Sequence, residues 1–465
     1  MDKRSIILLI LVLGSLMAAL DASIVLLAFP SMTQELSSDI VTSIWVILLY
    51  IIIVSVCTTQ LGRLGDIFGR GKMFNLGFAI FTIASALCGL SPGILFLIFF
   101  RALQAVGSAL LLANSGAIVA DNFSKEHLGR AFGYIATGWS VGSVLGIILG
   151  GAITTLLGWR YIFYINVPIG IFALYLGLRH LKDKGKTKAA LDVKGIVIFG
   201  IVLLMVSYGA LDFAAQGLAL FNEALIILGA LLGLGFYIYE KNAKSPMIDF
   251  GAFRNRVLKY STVSLIFISL GWFAVLFLIT VYLQGVRGIT PLNAAILISP
   301  TGLLGAVFSP FMGRLSDRIG ARIVATTGIG FFALATLVYL TIGATTPLYM
   351  IAVAAVFSGI GLSMFFPANT SAIMANVRPD ERGSINGLLR TIQNTGILLS
   401  YVIAFAIMTS VLPRETAYQI FVGTTQIIGG ITDSFVSGIH AALALTLVLL
   451  IIGAVFSLIR GKNRF

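Results

Sequence analysis

Long apolar runs recur along this chain and are separated by short, mostly basic segments. Roughly 18 apolar residues in a helix cross the hydrocarbon core of a bilayer. No water is present there to satisfy backbone N–H and C=O groups, so each run must fold as a helix. Fourteen spans are predicted, at about 5–29, 42–61, 73–90, 93–120, 131–153, 161–178, 194–212, 222–239, 258–284, 291–312, 322–342, 347–373, 386–410 and 439–459. Composition agrees. Hydrophobic residues make up 58% of the 465, and charged ones 11%, too few to cover a soluble protein of this size. Fifty glycines suit helices that approach each other closely. The first run is too long for a signal peptide and carries Asp21, so it is expected to remain as a span.

The net charge is +13, which in a soluble protein points to nucleic acid. Here the placement of the charge points to topology instead. With the N-terminus inside, 26 of the 31 Lys and Arg fall in inner segments. The outer loops hold Arg160, Arg287 and Arg414, while Arg101 and Arg390 lie within spans. Basic residues concentrate on the cytoplasmic side, so both termini are expected there. Cys57 and Cys88 fall inside spans, which argues against a disulfide framework. His127, His180 and His440 are too scattered for a metal site. No G-x-x-x-x-G-K-[ST] loop for a nucleotide and no paired acid and base within the spans are seen, so neither an enzyme nor a nucleotide-driven pump is expected.

One polar motif occurs twice. Gly62-Arg63-Leu64-Gly65-Asp66-Ile67-Phe68-Gly69 returns as Gly313-Arg314-Leu315-Ser316-Asp317-Arg318-Ile319-Gly320, with the frame G-R-L-x-D-x-x-G. Internal repeats of this kind build secondary transporters. The copies follow spans 2 and 10, so the eight spans between them equal a six-span half plus two. The chain therefore divides into a bundle at 1–180, basic linkers with two inserted spans at 181–257, and a second bundle at 258–465. The linkers 179–194 and 240–259 are expected along the cytoplasmic surface, against anionic lipid.

With these features in place the chain resembles the major facilitator superfamily, and within it the fourteen-span drug:proton antiporter branch. Gly62 to Lys72 is similar to the family signature between spans 2 and 3. Leu20-Asp21-Ala22-Ser23-Ile24-Val25 to Pro30 resembles the span 1 signature of that branch. Arg101-Ala102-Leu103-Gln104-Ala105-Val106-Gly107 resembles the span 4 signature. Trp159-Arg160-Tyr161-Ile162-Phe163 and Ile165-Asn166-Val167-Pro168-Ile169-Gly170 resemble the start of span 6. The span 5 match departs from the antiporter pattern, because Ile147 stands where a Gly-Pro pair would place proline. The fold implied is all-α and polytopic, with two six-helix bundles, two extra central helices and alternating access.

Asp21 is the one acidic residue well inside a predicted span. A charge at the bilayer centre costs about 2.5–3.5 kcal/mol on insertion scales, so it points to function or to a structural hydrogen bond. Arg101 enters from the outer side to a similar depth. Each lies about 8 residues, roughly 12 Å, from the outer surface, so the two can meet. Gln104 is the alternative partner for Arg101. Burial favours a neutral Asp21 and a guanidinium favours its carboxylate, and the sequence leaves that balance open.

Asp66, Arg70, Lys72 and Asp121 form a second constellation, with Gly62, Gly65 and Gly69 permitting a tight turn. The resemblance implies a gate in which Asp66 caps the start of span 13 near Ser384 in the other half; topological anchoring is the plainer reading of the basic residues. Gly138, Gly142, Gly146 and Gly150 recur every fourth residue on one face of span 5. The resemblance places the partner of that face on span 10, as part of the gate, and ordinary tight packing is the alternative. Trp45, Tyr50, Asn114, Trp139, Trp272, Tyr282 and Asn369 are candidates for lining a cavity, since aromatic faces attract organic cations.

The expected function is proton-coupled efflux of amphipathic compounds, cationic ones included, with Asp21 as the switch and protons in place of any cofactor. The partners expected are the small-molecule substrate and membrane lipid, for a monomer in a prokaryotic plasma membrane. A transporter of a specific metabolite or lipid, a uniporter, and a transporter-like receptor are the alternatives.

Overall fold

The computed structural model describes residues 3–123, 125–181, 183, 191–216, 219–243, 255–377, 382–410 and 431–461. Fourteen helices among them are long and apolar enough to cross a membrane. In chain order the elements are α1 (Lys3–Glu35), a short α2 (Ile40–Ser43), α3 (Trp45–Phe68), α4 (Arg70–Gly89), α5 (Ile94–Asn122) and α6 (Lys125–Leu156). There follow the single turn α7 (Tyr161–Tyr164), α8 (Asn166–His180), α9 (Val193–Gln216), α10 (Leu220–Asn242) and α11 (Arg256–Val281), which ends in a π-turn at Tyr282–Val286. The last are α12 (Pro291–Ile319), α13 (Ala321–Tyr339), α14 (Leu348–Ala375), α15 (Arg382–Ser410) and α16 (Ile431–Ile459). The protein is thus an all-helical integral membrane protein.

Two compact units are present: Met1–Leu204 with Gly229–Ile248, and Met205–Leu228 with Asp249–Phe465. The inserted helices α9 and α10 are divided between them rather than forming a body of their own.

In the first unit the core is built from Ile7, Leu11, Phe74, Phe78, Leu111 and Ile118, on α1, α4 and α5. Small residues set how close these helices come. A Cβ on Gly77 of α4 would lie 3.0 Å from the Gly107 carbonyl oxygen of α5, and one on Gly107 would lie 2.6 Å from the Phe81 nitrogen. The second unit repeats the device. A Cβ on Gly328 of α13 would lie 2.8 Å from the Phe365 nitrogen of α14, and one on Gly361 would lie 2.9 Å from the Gly328 oxygen. The duplication read in the polar motif therefore extends to backbone packing.

The motif is less of a loop than its polarity implies. Gly62 and Gly65 lie inside α3, and only Gly69 separates α3 from α4. Gly69 has φ +112°, and its counterpart Gly320, between α12 and α13, has φ +95°. Both sit in a region of φ that side chains disfavour, so one glycine makes each reversal. Gly65 serves close approach instead, since its Cα faces the Asn114 side chain on α5.

The glycine face of α6 corrects an expectation. Gly138, Gly142, Gly146 and Gly150 pack on α1, within the same unit, opposite the carbonyl oxygens of Val12, Leu16, Leu20 and Ile24. Both sets step by four residues in the same chain direction, so two parallel ridges run in register. Added Cβ atoms would meet those oxygens at 2.9, 2.4, 2.6 and 2.9 Å, which only glycine avoids. Ile147, in place of the expected proline, leaves α6 unbroken from Lys125 to Leu156 and is itself buried.

Alanine at Gly142 or Gly146 must push backbone from backbone, and should destabilise the protein by about 1–3 kcal/mol. Gly133→Ala on the same helix meets nothing within 4 Å and should be neutral or stabilising. Thermal unfolding of the purified variants in detergent separates the two; equal unfolding temperatures for Gly142→Ala and Gly133→Ala would contradict this packing.

Candidate functional site

Asp21 sits midway along α1 with no solvent exposure. The ridge of glycines on α6 holds this stretch of α1 in place, since Leu20 and Ser23 are contacts of Gly146. α5 presents Arg101 and Gln104, three residues apart and so on one helix face. Arg101 Nη1 lies 2.6 Å from Asp21 Oδ2, and Gln104 Nε2 donates to Oδ1 at 2.9 Å. A third donor comes from the first residue of α8: Asn166 Nδ2 reaches Oδ1 at 3.2 Å.

A second layer holds these groups. Arg101 also donates from Nε to the Val46 carbonyl of α3 at 3.2 Å, and from Nη1 to Gln104 Oε1 at 2.7 Å. Its guanidinium carbon lies 4.1 Å from the centroid of the Tyr50 ring, a cation–π contact. Ser85 of α4 accepts from Gln104 at 3.1 Å and from Asn166 at 3.2 Å, and donates to the Phe163 carbonyl at 2.9 Å. Cys88 closes the cluster against Gln104 Oε1 at 3.8 Å. Helices α1, α3, α4, α5 and α8 thus converge on one carboxylate. The ion pair is 0% and 2% exposed. Away from water, a charge pair is weak support for stability but strongly resists losing one partner.

The motif forms a second polar cluster. Arg70 bonds Asp66 Oδ1 through Nε at 2.8 Å and Asp121 Oδ1 through Nη1 at 2.6 Å. Each of these side chains is about a third exposed, so the pairs are screened. Lys72 is exposed and contributes its backbone N–H rather than its charge. Sequence reasoning missed the acid that finishes this turn. Asp183, embedded among lysines after α8, accepts from Gly71 N at 2.8 Å and Lys72 N at 3.4 Å, capping the start of α4. The cap expected of Asp66 is at the start of span 13 near Ser384, whose side chain lies outside the described residues.

Of the cavity candidates, Tyr50 joins the Asp21 cluster, and Trp45 and Trp139 are half-buried. The other four are engaged in packing rather than facing an open space. Asn114 donates to the Leu110 carbonyl at 2.9 Å and lies against Gly65. Trp272 stacks on Phe332 with ring centroids 4.3 Å apart. Tyr282 donates to the Gly343 carbonyl at 2.7 Å and accepts from Arg287 at 3.0 Å, pinning the end of α11. Asn369 bridges the Ser261 carbonyl and Arg460, at 3.2 and 3.1 Å.

Arg460 is a second buried arginine that the sequence did not single out. It follows α16, is fully buried, and also donates to the Ala321 carbonyl at the start of α13. Burial, and then the charge of Arg322, push its pKa down to about 10, which leaves it charged at neutral pH.

Residues 11–401 match the Major Facilitator Superfamily. The chain belongs to this superfamily. Among its relatives, the riboflavin transporter RibZ of Clostridioides difficile is 30% identical, over 90% of each chain. Multidrug resistance protein 3 of Bacillus subtilis is 28% identical, over 98% of this chain and 94% of that one. Tetracenomycin C resistance and export protein of Streptomyces glaucescens is 28% identical, over 87% and 76%. The crystal structure of a bacterial homologue of the human lysosomal transporter Spinster shares the fold, with a TM-score of 0.72 at 17% identity over 99% of this chain and 97% of that one. Among the ion pairs of the described residues, Asp21 with Arg101 is the most deeply buried.

Removing one member of that pair isolates the other. Arg101→Leu should cost about 3–5 kcal/mol of stability, by the usual penalty for an orphaned buried charge. Asp21→Asn added to Arg101→Leu should recover part of the loss. A double-mutant cycle on unfolding free energies measures the coupling; additive losses would mean that the pair is not energetically linked.

Proposed function

We propose that this protein exports amphipathic, aromatic small molecules in exchange for protons, with Asp21 as the proton site and Arg101 as its fixed counter-charge. The observation that carries the reading is the fully buried contact of 2.6 Å between them. An intramembrane ionisable pair is costly and marks coupling sites by default. The relatives named for multidrug resistance and export support the direction and class of cargo. The likeness to bacterial proteins supports a plasma-membrane location, with both termini in the cytoplasm from the distribution of Lys and Arg.

The geometry narrows the expected cargo. Asp21 already has a cationic partner and two further donors, so a cationic substrate is not needed to neutralise it. Neutral amphipaths fit better. Exchanging one proton for a neutral molecule moves net charge, so the membrane potential drives it by about 2.3 kcal/mol per 100 mV. A second reading rests on the relative named as a riboflavin transporter: the cargo is then a specific planar metabolite of the flavin type, also neutral. The gate of this cycle is the cluster of Asp66, Arg70 and Asp121, which opens and closes access on the basic side.

Proteoliposomes with an imposed pH gradient test the coupling, using a neutral fluorescent amphipath and riboflavin as separate cargoes. Transport against the cargo gradient is expected to follow the pH gradient and to respond to an imposed potential. Asp21→Asn should abolish both responses, at a cost in stability from the uncompensated Arg101 that its unfolding temperature reads. Movement insensitive to pH in the unmodified protein would identify a uniporter. Uptake of riboflavin alone would select the metabolite reading.

A further inference from the structure

Two equivalent helix starts, one in each unit, are finished in opposite ways. In the repeated motif, Gly69, Arg70 and Gly71 at the start of α4 correspond to Gly320, Ala321 and Arg322 at the start of α13. In the first unit a carboxylate completes the turn. Asp183 accepts from Gly71 N at 2.8 Å and from Lys72 N at 3.4 Å. It also fills the space beside the reversal, since a Cβ added to Gly69 would run into both of its carboxylate oxygens.

The second unit leaves the same space open. A Cβ added to Gly320 would meet nothing within 4 Å. The N-cap of α13 is Gly320 itself, which has no side chain to accept a hydrogen bond. The first N–H groups of a helix find no partner inside it. The open space therefore adjoins uncapped donors and the positive end of the helix dipole.

Positive side chains gather at this spot. Arg460 lies just beyond α16, as Asp183 lies just beyond α8, and it is 0% exposed. Its Nη2 donates to the Ala321 carbonyl, which sets the guanidinium against the first turn of α13. Its Nη1 donates to Asn369 Oδ1 at 3.1 Å, and Asn369 is itself oriented by donating to the Ser261 carbonyl at 3.2 Å. Arg460 Nε is buried with no hydrogen-bond partner. Arg322 is near enough for its charge to lower the pKa of Arg460. Neither arginine belongs to an ion pair among the described residues. A buried charge is costly unless it is paired, and a second like charge beside it raises that cost.

We propose that the start of α13 binds an oxyanion of the phosphate class, held by Arg460, Arg322 and the N–H groups of Ala321 and Arg322, where the first unit places its own Asp183 carboxylate. Helix N-termini accept phosphate, and the guanidinium fork matches its oxygens. Several oxygens on one centre engage backbone N–H groups and two guanidinium groups together, which a halide ion does not. The site adjoins the end of the apolar span Phe435–Ile459, at the depth of lipid headgroups, and Gly320 and Arg322 are partly exposed and give access to it. A headgroup phosphate and free phosphate offer the same chemistry here. Either one would join the end of α16 to the start of α13, as Asp183 joins the chain after α8 to α4.

Thermal unfolding of the full-length protein in delipidated, phosphate-free detergent at constant ionic strength tests the site. Inorganic phosphate and phosphatidylglycerol in mixed micelles are titrated separately. At least one of them should raise the unfolding temperature and saturate. A response to inorganic phosphate identifies the free anion, and a response to phosphatidylglycerol alone identifies the headgroup. In either case Arg322→Gln should raise the half-saturating concentration about tenfold, by loss of a charge-assisted hydrogen bond. Lys259→Gln, which removes an exposed cation from α11, should leave it unchanged. Arg460→Gln should abolish the response; if that variant does not fold, Arg322→Gln decides. A response that Arg322→Gln leaves intact, or that Lys259→Gln weakens as much, overturns the proposal and indicates diffuse surface charge. Absence of a saturable response to both probes overturns it too, and means that the chain itself neutralises the two arginines.

Discussion

A carboxylate and a guanidinium in contact, out of reach of water, constrain the first unit more than any other interaction. In a low-dielectric interior every polar group left unpaired costs free energy, so the pair recruits further donors and acceptors. Asp21 needs Gln104 and Asn166; Arg101 needs the Val46 carbonyl and Gln104. Each demand fixes the rotation and depth of another helix. A slip of α5 by one residue would turn Arg101 and Gln104 away together, because they share one face. The glycines of α6 supply the opposing constraint, since backbone contact with α1 admits only one register along the four-residue ridge. Polar satisfaction inside the unit and steric fit at its edge therefore determine the same position for α1.

The two units use the same backbone devices for different ends. Gly77 against Gly107 and Gly328 against Gly361 bring the equivalent helices equally close, and Gly69 and Gly320 make equivalent reversals. The residues that secure those reversals have opposite charge. Asp183 caps backbone N–H groups at the start of α4, whereas Arg460 donates to a carbonyl at the start of α13. In both cases the chain just beyond the sixth helix of a repeat returns to the third. The geometry is inherited from duplication, while the chemistry has diverged.

Much of this was legible in the sequence where physics leaves few alternatives. Apolar length determines the spans. The depths of Asp21 and Arg101, counted from one surface, brought them level before any contact was known. What remained illegible were partner choices. Four glycines at fourfold spacing announce that some backbone comes close, but not that it is α1. A tyrosine such as Tyr282 reads as a cavity group or as the donor to a carbonyl with equal ease, until Gly343 is placed beside it. Asn166 was visible as part of a motif, yet its role needs α8 to begin beside Asp21. Asp183 was masked by the lysines around it, because local composition reports a charge average and not which acid folds back.

The arrangement around Arg101 bears on how a proton can act at Asp21. An arginine held by one carboxylate alone would lose its place on protonation and would have to move or find water. Arg101 also bonds the Val46 carbonyl and Gln104 Oε1 and lies over the Tyr50 ring, contacts that do not themselves require a charge on Asp21. Protonation would therefore change the charge of the cluster from neutral to positive without dismantling it. A positive charge fixed in a low-dielectric surrounding is itself unfavourable. The relief lies in moving the helices so that water or a polar group reaches the guanidinium, and not in moving the arginine. If Asp21 takes the coupling proton, as proposed, the rigidity of the Arg101 scaffold would convert that proton into a force on α1, the helix that brings Asp21 to the cluster.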